Sequence, residues 1–294
     1  MKYIIGTMRP NFLPLAVSCA LLGMGVAIFS HGAVNPWYVV LAVIGAVAAH
    51  GCVNAINEYE DVKSGLDFRT QRTPFSGGSG TLIQDPTKAP IVMGTVIVTA
   101  LIAAAIGVFF AVKVGWPILL IGAVGLLVIF LYTPVFNKIP FLCLLAPGFG
   151  FGTLIVVGAY YALTGSINWT VVLASFVPFF LVSNLLLLNQ FPDAEPDKTV
   201  ERKHYPILIG RKASAVIYAA FNVAAYLTII LGVVLGLFPI WTLLGLLTLF
   251  FAVPSTLNAL KNPDDLPRLM PSMGQNVLAN LVTPILMMIG FIIG

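Results

Sequence analysis

Two short segments carry most of the chemistry that this chain offers. The first reads His50-Gly-Cys-Val-Asn54-Ala-Ile-Asn57-Glu58-Tyr59-Glu60-Asp61, with Asp67 further on. At 100° per residue, His50, Asn54, Asn57 and Asp61 share an arc of about 60° on one helix. Glu58, Glu60, Asp61 and Asp67 crowd together and repel one another unless a cation stands between them. The second segment reads Asn189-Gln-Phe-Pro192-Asp193-Ala-Glu195-Pro196-Asp197. Its Asn189, Asp193 and Asp197 recur at i, i+4 and i+8, within about 80° on a continuous helix. Pro192 and Pro196 put that continuity in question, because each removes a backbone donor and can kink or end a helix. The pattern Asn-x-x-x-Asp therefore occurs twice, at 57–61 and 189–193.

Two carboxylate clusters on one side of a protein can hold hard cations between them. Mg²⁺ takes octahedral oxygen ligands, keeps several waters and is typically completed by substrate phosphates. A diphosphate cannot approach carboxylates without such a bridge, and Arg and Lys supply the remaining neutralisation. Cations so placed stabilise charge developing on a departing diphosphate. Arg69, Arg72 and the run Pro74-Phe-Ser-Gly-Gly-Ser-Gly80 place flexible backbone beside positive charge, as a loop closing over phosphate requires. Plainer readings exist for several of these residues. His50 and Asn54 could join helices by hydrogen bonds; Lys138 could set topology and Tyr132 belong to an interfacial aromatic belt.

The elements that must position these groups are membrane helices. Of 294 residues, 59% are hydrophobic and 9% charged, against roughly 45–50% and about 25% in soluble domains. Apolar runs bounded by Gly, Pro and charge predict nine helices. They cover 12–30, 36–59, 91–112, 116–133, 141–163, 169–190, 213–236, 239–260 and 274–293, in one domain spanning 1–294. With the N-terminus in the cytoplasm and the C-terminus outside, 14 of the 15 Lys and Arg residues fall inside, all but Lys113;. All 11 acidic residues fall there too, nine of them in two polar loops at 57–90 and 189–212. Lys2 and Arg9 precede an apolar stretch with no convincing cleavage site, which reads as a retained first helix. Cys19, Cys52 and Cys143 sit in apolar runs without paired spacing, as buried hydrophobes would. Nothing in the pattern points to nucleic acid.

Here a family resemblance can be stated. Asn57-Glu-Tyr-Glu-Asp61-Val-Lys-Ser-Gly-Leu-Asp67 resembles the first aspartate-rich motif of the UbiA superfamily of intramembrane prenyltransferases, and Asn189 to Asp197 resembles the second. Arg72-Thr-Pro-Phe-Ser-Gly77, Tyr132-Thr-Pro-Val-Phe-Asn-Lys138 and Arg9-Pro10 resemble further family segments. The resemblance implies an all-α polytopic fold around an apolar chamber capped by cytoplasmic loops, integral to a membrane, which is the cell membrane if the source is prokaryotic. It implies that Asn57, Asp61, Asp67, Asn189, Asp193 and Asp197 organise Mg²⁺ on an isoprenyl diphosphate, with Asp61, Asp67, Asp193 and Asp197 nearest the metal. Arg72 and Lys138 would bind its phosphates, with Arg9, Arg202 and Lys203 as further contributors, and Asn54 and Tyr132 would face the substrates. Ionisation would yield an allylic cation, captured by an electron-rich aromatic acceptor. Asp67 stands ten residues after Asn57 with Gly65 before it, a spacing similar to the naphthoquinone (menaquinone-type) branch. Gln190-Phe-Pro192 departs from the family's usual second motif, which leaves other acceptors, such as a lipid or tetrapyrrole alcohol, open. From a different class, a secondary transporter also carries intramembrane polar groups, though normally at the bilayer midplane on broken helices.

Overall fold

The computed structural model describes residues 1–294, and the chain is helical throughout with no strand. After a short α1 (Lys2–Thr7) come α2 (Pro14–His31), α3 (Pro36–Lys63), α4 (Ala89–Val114) and α5 (Pro117–Tyr132). Next, α6 (Pro140–Gly148) runs through a π-helical turn (Phe149–Ile155) into α7 (Val156–Thr164). The second half holds α8 (Trp169–Lys198), the single turn α9 (Tyr205–Leu208) and α10 (Gly210–Val234). A 3₁₀ stretch (Ile240–Thr248) then leads into α11 (Leu249–Lys261), and α12 (Leu266–Ile293) closes the chain. Eight of the resulting helical runs are long and apolar enough to cross a membrane by length and composition. The remaining one, α5, has 16 apolar residues, about 24 Å of helix.

Local sequence explains where these helices start and stop. Pro14, Pro36, Pro117 and Pro140 stand in the first helical turns, where the missing N–H costs nothing. Asn35 and Asn168 cap α3 and α8, accepting from the backbone N–H groups of Trp37 and Val171 at 2.9 Å each;. Gly115 follows α4 at φ +107° and Gly165 follows α7 at φ +69°, conformations open to glycine. The side chains that face outward are those of a lipid-immersed protein: Val112 and Phe250 are 80% and 77% exposed.

Three expected boundaries move, and all three moves lengthen helices at the polar-loop end. α3 runs to Lys63 rather than 59, α12 begins at Leu266 rather than 274, and α8 continues to Lys198 rather than 190. The stretches 60–63 and 191–198, outside the expected helices, are therefore helical. In α8, Pro178, Pro192 and Pro196 all lie inside the helix. Each removes one intrahelical hydrogen bond, and packing of Leu187, Leu188, Phe191 and Ala194 into the interior holds the turn that propensity alone would lose.

The main core joins α2, α7, α8, α10 and α12, through buried residues such as Leu22, Tyr160, Leu181, Ile229 and Met287. Tight crossings rely on small residues: a Cβ on Gly23 would lie 2.4 Å from the Val156 carbonyl oxygen, and one on Gly148 2.1 Å from that of Phe179;. The other side of the bundle, among α3, α4, α5 and the α6–α7 run, encloses a cavity of about 660 Å³.

Candidate active site

The cavity is apolar along α4 and α5, where Ala104, Gly107, Gly122 and Leu126 line it, and polar at one end. That end is built by the last turns of α3 and α8. Because both helices continue unbroken, His50, Asn54, Asn57 and Asp61 from α3 and Asn189, Asp193 and Asp197 from α8 all reach the cavity wall. Asp67 joins them from the turn after α3. The two Asn-x-x-x-Asp patterns thus line one end of a single cavity.

Two arginines occupy the mouth. Arg202 bridges the patterns, pairing with Asp61 from α3 and with the Asp197 carboxylate of α8, the latter at 3.2 Å. Asp197 also accepts from His204 Nε2 at 2.9 Å. Arg9 enters from the N-terminal segment, at φ +53°, and donates to Asn57 Oδ1 at 3.1 Å. Asn54 secures that segment by donating to the Met8 carbonyl at 2.9 Å. Asn57 also donates to Thr133 Oγ1 at 3.4 Å, and Tyr132 lines the cavity next door.

Glu58 lies about 60° round α3 from Asp61, on the flank of the acidic face, and is fully buried. Its carboxylate accepts from the backbone N–H groups of Ser79, Thr81 and Leu82 at 2.8, 3.0 and 3.2 Å, and from the Ser79 hydroxyl at 2.7 Å. It also stands 3.7 Å from Arg9. Glu58 therefore pins the glycine-rich run 77–80 over the acidic face. Gly78, at φ +73°, lets the loop pass so closely that a Cβ there would lie 3.0 Å from Asp67 Oδ1.

Asp67 shows the cost of this crowding. Burial first, then the Asp61 and Glu58 charges, push its carboxyl up to about 7;. Its Oδ2, Asp193 Oδ1 and Asn189 Oδ1 are buried without hydrogen-bond partners. Orphaned acceptors aimed at one mouth fit a cation that brings further ligands with it. No three His, Cys, Asp or Glu side chains converge closely enough to cage a metal alone, so the residues fit a shared metal–anion complex rather than a prebuilt protein cage.

Three expected phosphate ligands lie outside the cavity lining. Arg72 is exposed, its guanidinium laid over Gly80. Lys138 is half-exposed and 3.8 Å from Glu201 on the surface. Lys203 is exposed, its backbone N–H donating to the Asn137 carbonyl at 2.8 Å. Sequence reasoning missed the anchoring role of Glu58, the His204 contact to Asp197, and the Gln190–Cys143–Asn137 chain at 3.2 and 3.4 Å beside the mouth. The only signal for Glu58 was its place between Asn57 and Asp61, on the flank of the helix face that they share.

Fold and site together define a multi-pass membrane protein whose acidic, arginine-bearing mouth opens onto an apolar chamber. The model of the UbiA prenyltransferase family matches residues 16–280, and the chain belongs to that family. It is an integral membrane enzyme of the prenyltransferase type. Among curated relatives, 1,4-dihydroxy-2-naphthoate octaprenyltransferase of Bacillus subtilis is 28% identical over 257 residues, covering 86% of this chain and 79% of that protein. Digeranylgeranylglyceryl phosphate synthase of Natronomonas pharaonis is 26% identical, covering 81% and 80%. Among solved structures, a UbiA homologue from Aeropyrum pernix K1 superposes with a TM-score of 0.76 at 20% identity, over 97% of this chain and 98% of that one. A homologue from Archaeoglobus fulgidus bound to DMAPP and Mg²⁺ gives a TM-score of 0.68 at 14% identity, over 98% and 99%. These likenesses show a shared fold.

Proposed function

We propose that this protein transfers a polyprenyl group from an isoprenyl diphosphate to an aromatic quinone precursor of the naphthoate kind, with Mg²⁺ as cofactor. One observation carries the reading: four aspartates from two distant segments, with Arg9 and Arg202, converge on the mouth of a single apolar cavity. Bound Mg²⁺ supplies the positive charge that lets a diphosphate sit among carboxylates and leave as an anion. Asp61, Asp67, Asp193 and Asp197 would hold it, with Asn57 and Asn189 orienting the diphosphate oxygens. Arg9 and Arg202 take up part of the diphosphate charge. Arg72, Lys138 and Lys203 lie just outside the mouth and attract the anion from solution. The apolar walls along α4 and α5 carry the prenyl chain and keep water from the electron-poor carbon. Tyr132 and Asn54 border the reacting end.

The family, the DMAPP and Mg²⁺ in the Archaeoglobus homologue, and the naphthoate activity of the Bacillus relative all support this assignment, as does the Asn57-to-Asp67 spacing. We further read the chain as nine spans, with α5 crossing as the short one, the N-terminus and the acidic mouth in the cytoplasm and the C-terminus outside. A glyceryl phosphate acceptor is the second reading, favoured by the Natronomonas relative.

The test is Mg²⁺-dependent diphosphate release from farnesyl or geranylgeranyl diphosphate, with 1,4-dihydroxy-2-naphthoate or a glyceryl phosphate as acceptor. Asp61→Ala and Asp193→Ala are expected to lose activity by about a hundredfold or more. Full activity in both variants refutes the site assignment. Gradient-driven uptake in liposomes without diphosphate release supports a transporter instead.

A further inference from the structure

His50 takes no part in the acidic mouth. It lies two helical turns deeper than Asn57, about 10 Å along α3, on the same face and in the wall of the same cavity. The side chain is only 5% exposed, and its buried Nδ1 has no hydrogen-bond partner. A histidine that served to join helices would spend its polar atoms on a neighbouring helix; this one makes no hydrogen bond to the protein. Polar groups left free at membrane depth are costly unless they meet a ligand or water.

The surroundings of the ring are organised. Phe151 meets it edge to face, with ring centroids 4.5 Å apart and planes at 77°. Phe151 belongs to the π-helical turn between α6 and α7, and π-turns recur where a helix must re-aim a side chain at a functional site. The same turn is locked from behind. A Cβ on Gly152 would lie 2.3 Å from the Phe179 amide nitrogen of α8, so the turn cannot slide. Ala46, Ala49 and Gly150 are small residues of the same wall, so no bulky side chain fills the cavity beside the two rings, and the roughly 10 Å of α3 between His50 and Asn57 is long enough for a flat ring system.

We infer that His50 and Phe151 form the acceptor subsite, the imidazole taking a hydrogen bond from a hydroxyl of an aromatic acceptor and the phenyl edge packing on its ring. This rests on the proposed function and extends it by naming what the acceptor must carry: a free phenolic or naphtholic hydroxyl. A neutral imidazole has one donor and one acceptor, which matches a hydroxyl. Arg9, the nearest guanidinium on this side, is already engaged by Asn57 and Glu58. The position also puts the acceptor ring between His50 and the diphosphate, next to the carbon that the leaving group vacates.

Steady-state kinetics of the full-length protein in nanodiscs test this, with geranylgeranyl diphosphate as donor and 1,4-dihydroxy-2-naphthoate as acceptor. Naphthalene-1,4-diol and 1,4-dimethoxynaphthalene serve as competitive probes. Wild type is expected to bind the diol about tenfold more tightly than the dimethoxy compound, because a site built to bond a hydroxyl rejects the analogue lacking it. His50→Phe should raise the acceptor KM about tenfold, keep the donor KM within about twofold and erase the preference for the diol. His50→Gln, which retains an acceptor oxygen, should recover most of both. If His50→Phe does not fold, His50→Ala carries the same expectation. An unchanged acceptor KM, or equal rises in donor and acceptor KM, overturns the His50 assignment while leaving the prenyl transfer reading intact. Transfer by the wild type to a non-aromatic alcohol alone overturns both.

Discussion

Replacing Glu58 by Gln removes one oxygen from a carboxylate that four donors share. Three of them, the Thr81 and Leu82 N–H groups and the Ser79 hydroxyl, use Oε1; the Ser79 N–H uses Oε2 at 2.8 Å. In the better of its two orientations the glutamine keeps Oε1 in place and turns its NH₂ toward the Ser79 N–H and toward Arg9, 3.7 Å away. One charge-assisted bond becomes a donor–donor clash, and the remaining bonds lose their charge. A hydrogen bond to a charged group is worth about 1.5–3 kcal/mol, and an unpartnered buried donor costs about 1–3 kcal/mol. The closed form of the 77–82 loop should therefore lose about 2–4 kcal/mol, which is roughly 30- to 1000-fold in its opening equilibrium. Amide hydrogen exchange read by mass spectrometry on the peptide spanning 77–84 reports that equilibrium directly. Protection should fall there by this factor, while the interior of α8 is unchanged. Equal protection in wild type and Glu58→Gln would refute the view that this one carboxylate holds the loop closed.

Asp67, pushed up to about 7, binds its proton more tightly in the folded protein than in the unfolded chain, whose ordinary value is 3.8. Its contribution to stability is thus fully present below about pH 4 and is lost as pH rises through 7. In Mg²⁺-free buffer this group should make the melting temperature drift down between pH 5 and pH 8, and Asp67→Asn should flatten that slope. Identical slopes in wild type and variant would contradict the burial and charge argument. Gly78→Ala places a methyl 3.0 Å from Asp67 Oδ1 at φ +73°, a backbone region that costs about 1–2 kcal/mol for alanine. The donor KM should rise about tenfold while the melting temperature falls by only about 2–5 °C, and an unaltered KM would show that the loop does not set the Asp67 position.

The features that could be read from sequence are those that depend on periodicity. The stacking of His50, Asn54, Asn57 and Asp61, the meeting of the two Asn-x-x-x-Asp patterns and the apolar runs all follow from helical repeat and hydrophobicity. What could not be read depends on contacts between residues far apart in the chain. Glu58 looked like one more carboxylate of the acidic cluster, and only the path of residues 79–82 shows that its oxygens are taken up by backbone N–H groups. Arg202 was legible as a phosphate contributor, but its clasp on Asp61, 141 residues earlier, was not. Lys138 and Arg72 carry the right charge, yet the turns that bear them leave their side chains at the surface. Pro192 and Pro196 argued for a break in α8, since propensity counts the lost backbone donors and cannot see the burial of Leu188 and Phe191 that keeps the helix whole.

The Arg202 clasp between α3 and α8 has a consequence for how tightly any ligand is held. The acidic mouth has an internal counter-charge, so an incoming cation enters by exchange with an arginine and is measured as a competitor of it. Arg202 is buried between its two aspartates, and releasing it without another anion to pair with would leave a buried charge uncompensated. Mg²⁺ alone should therefore bind weakly, and Mg²⁺ together with a diphosphate far more tightly than either one. On the proposed function, the clasp would work as a coincidence detector, released when metal and phosphate arrive as a pair.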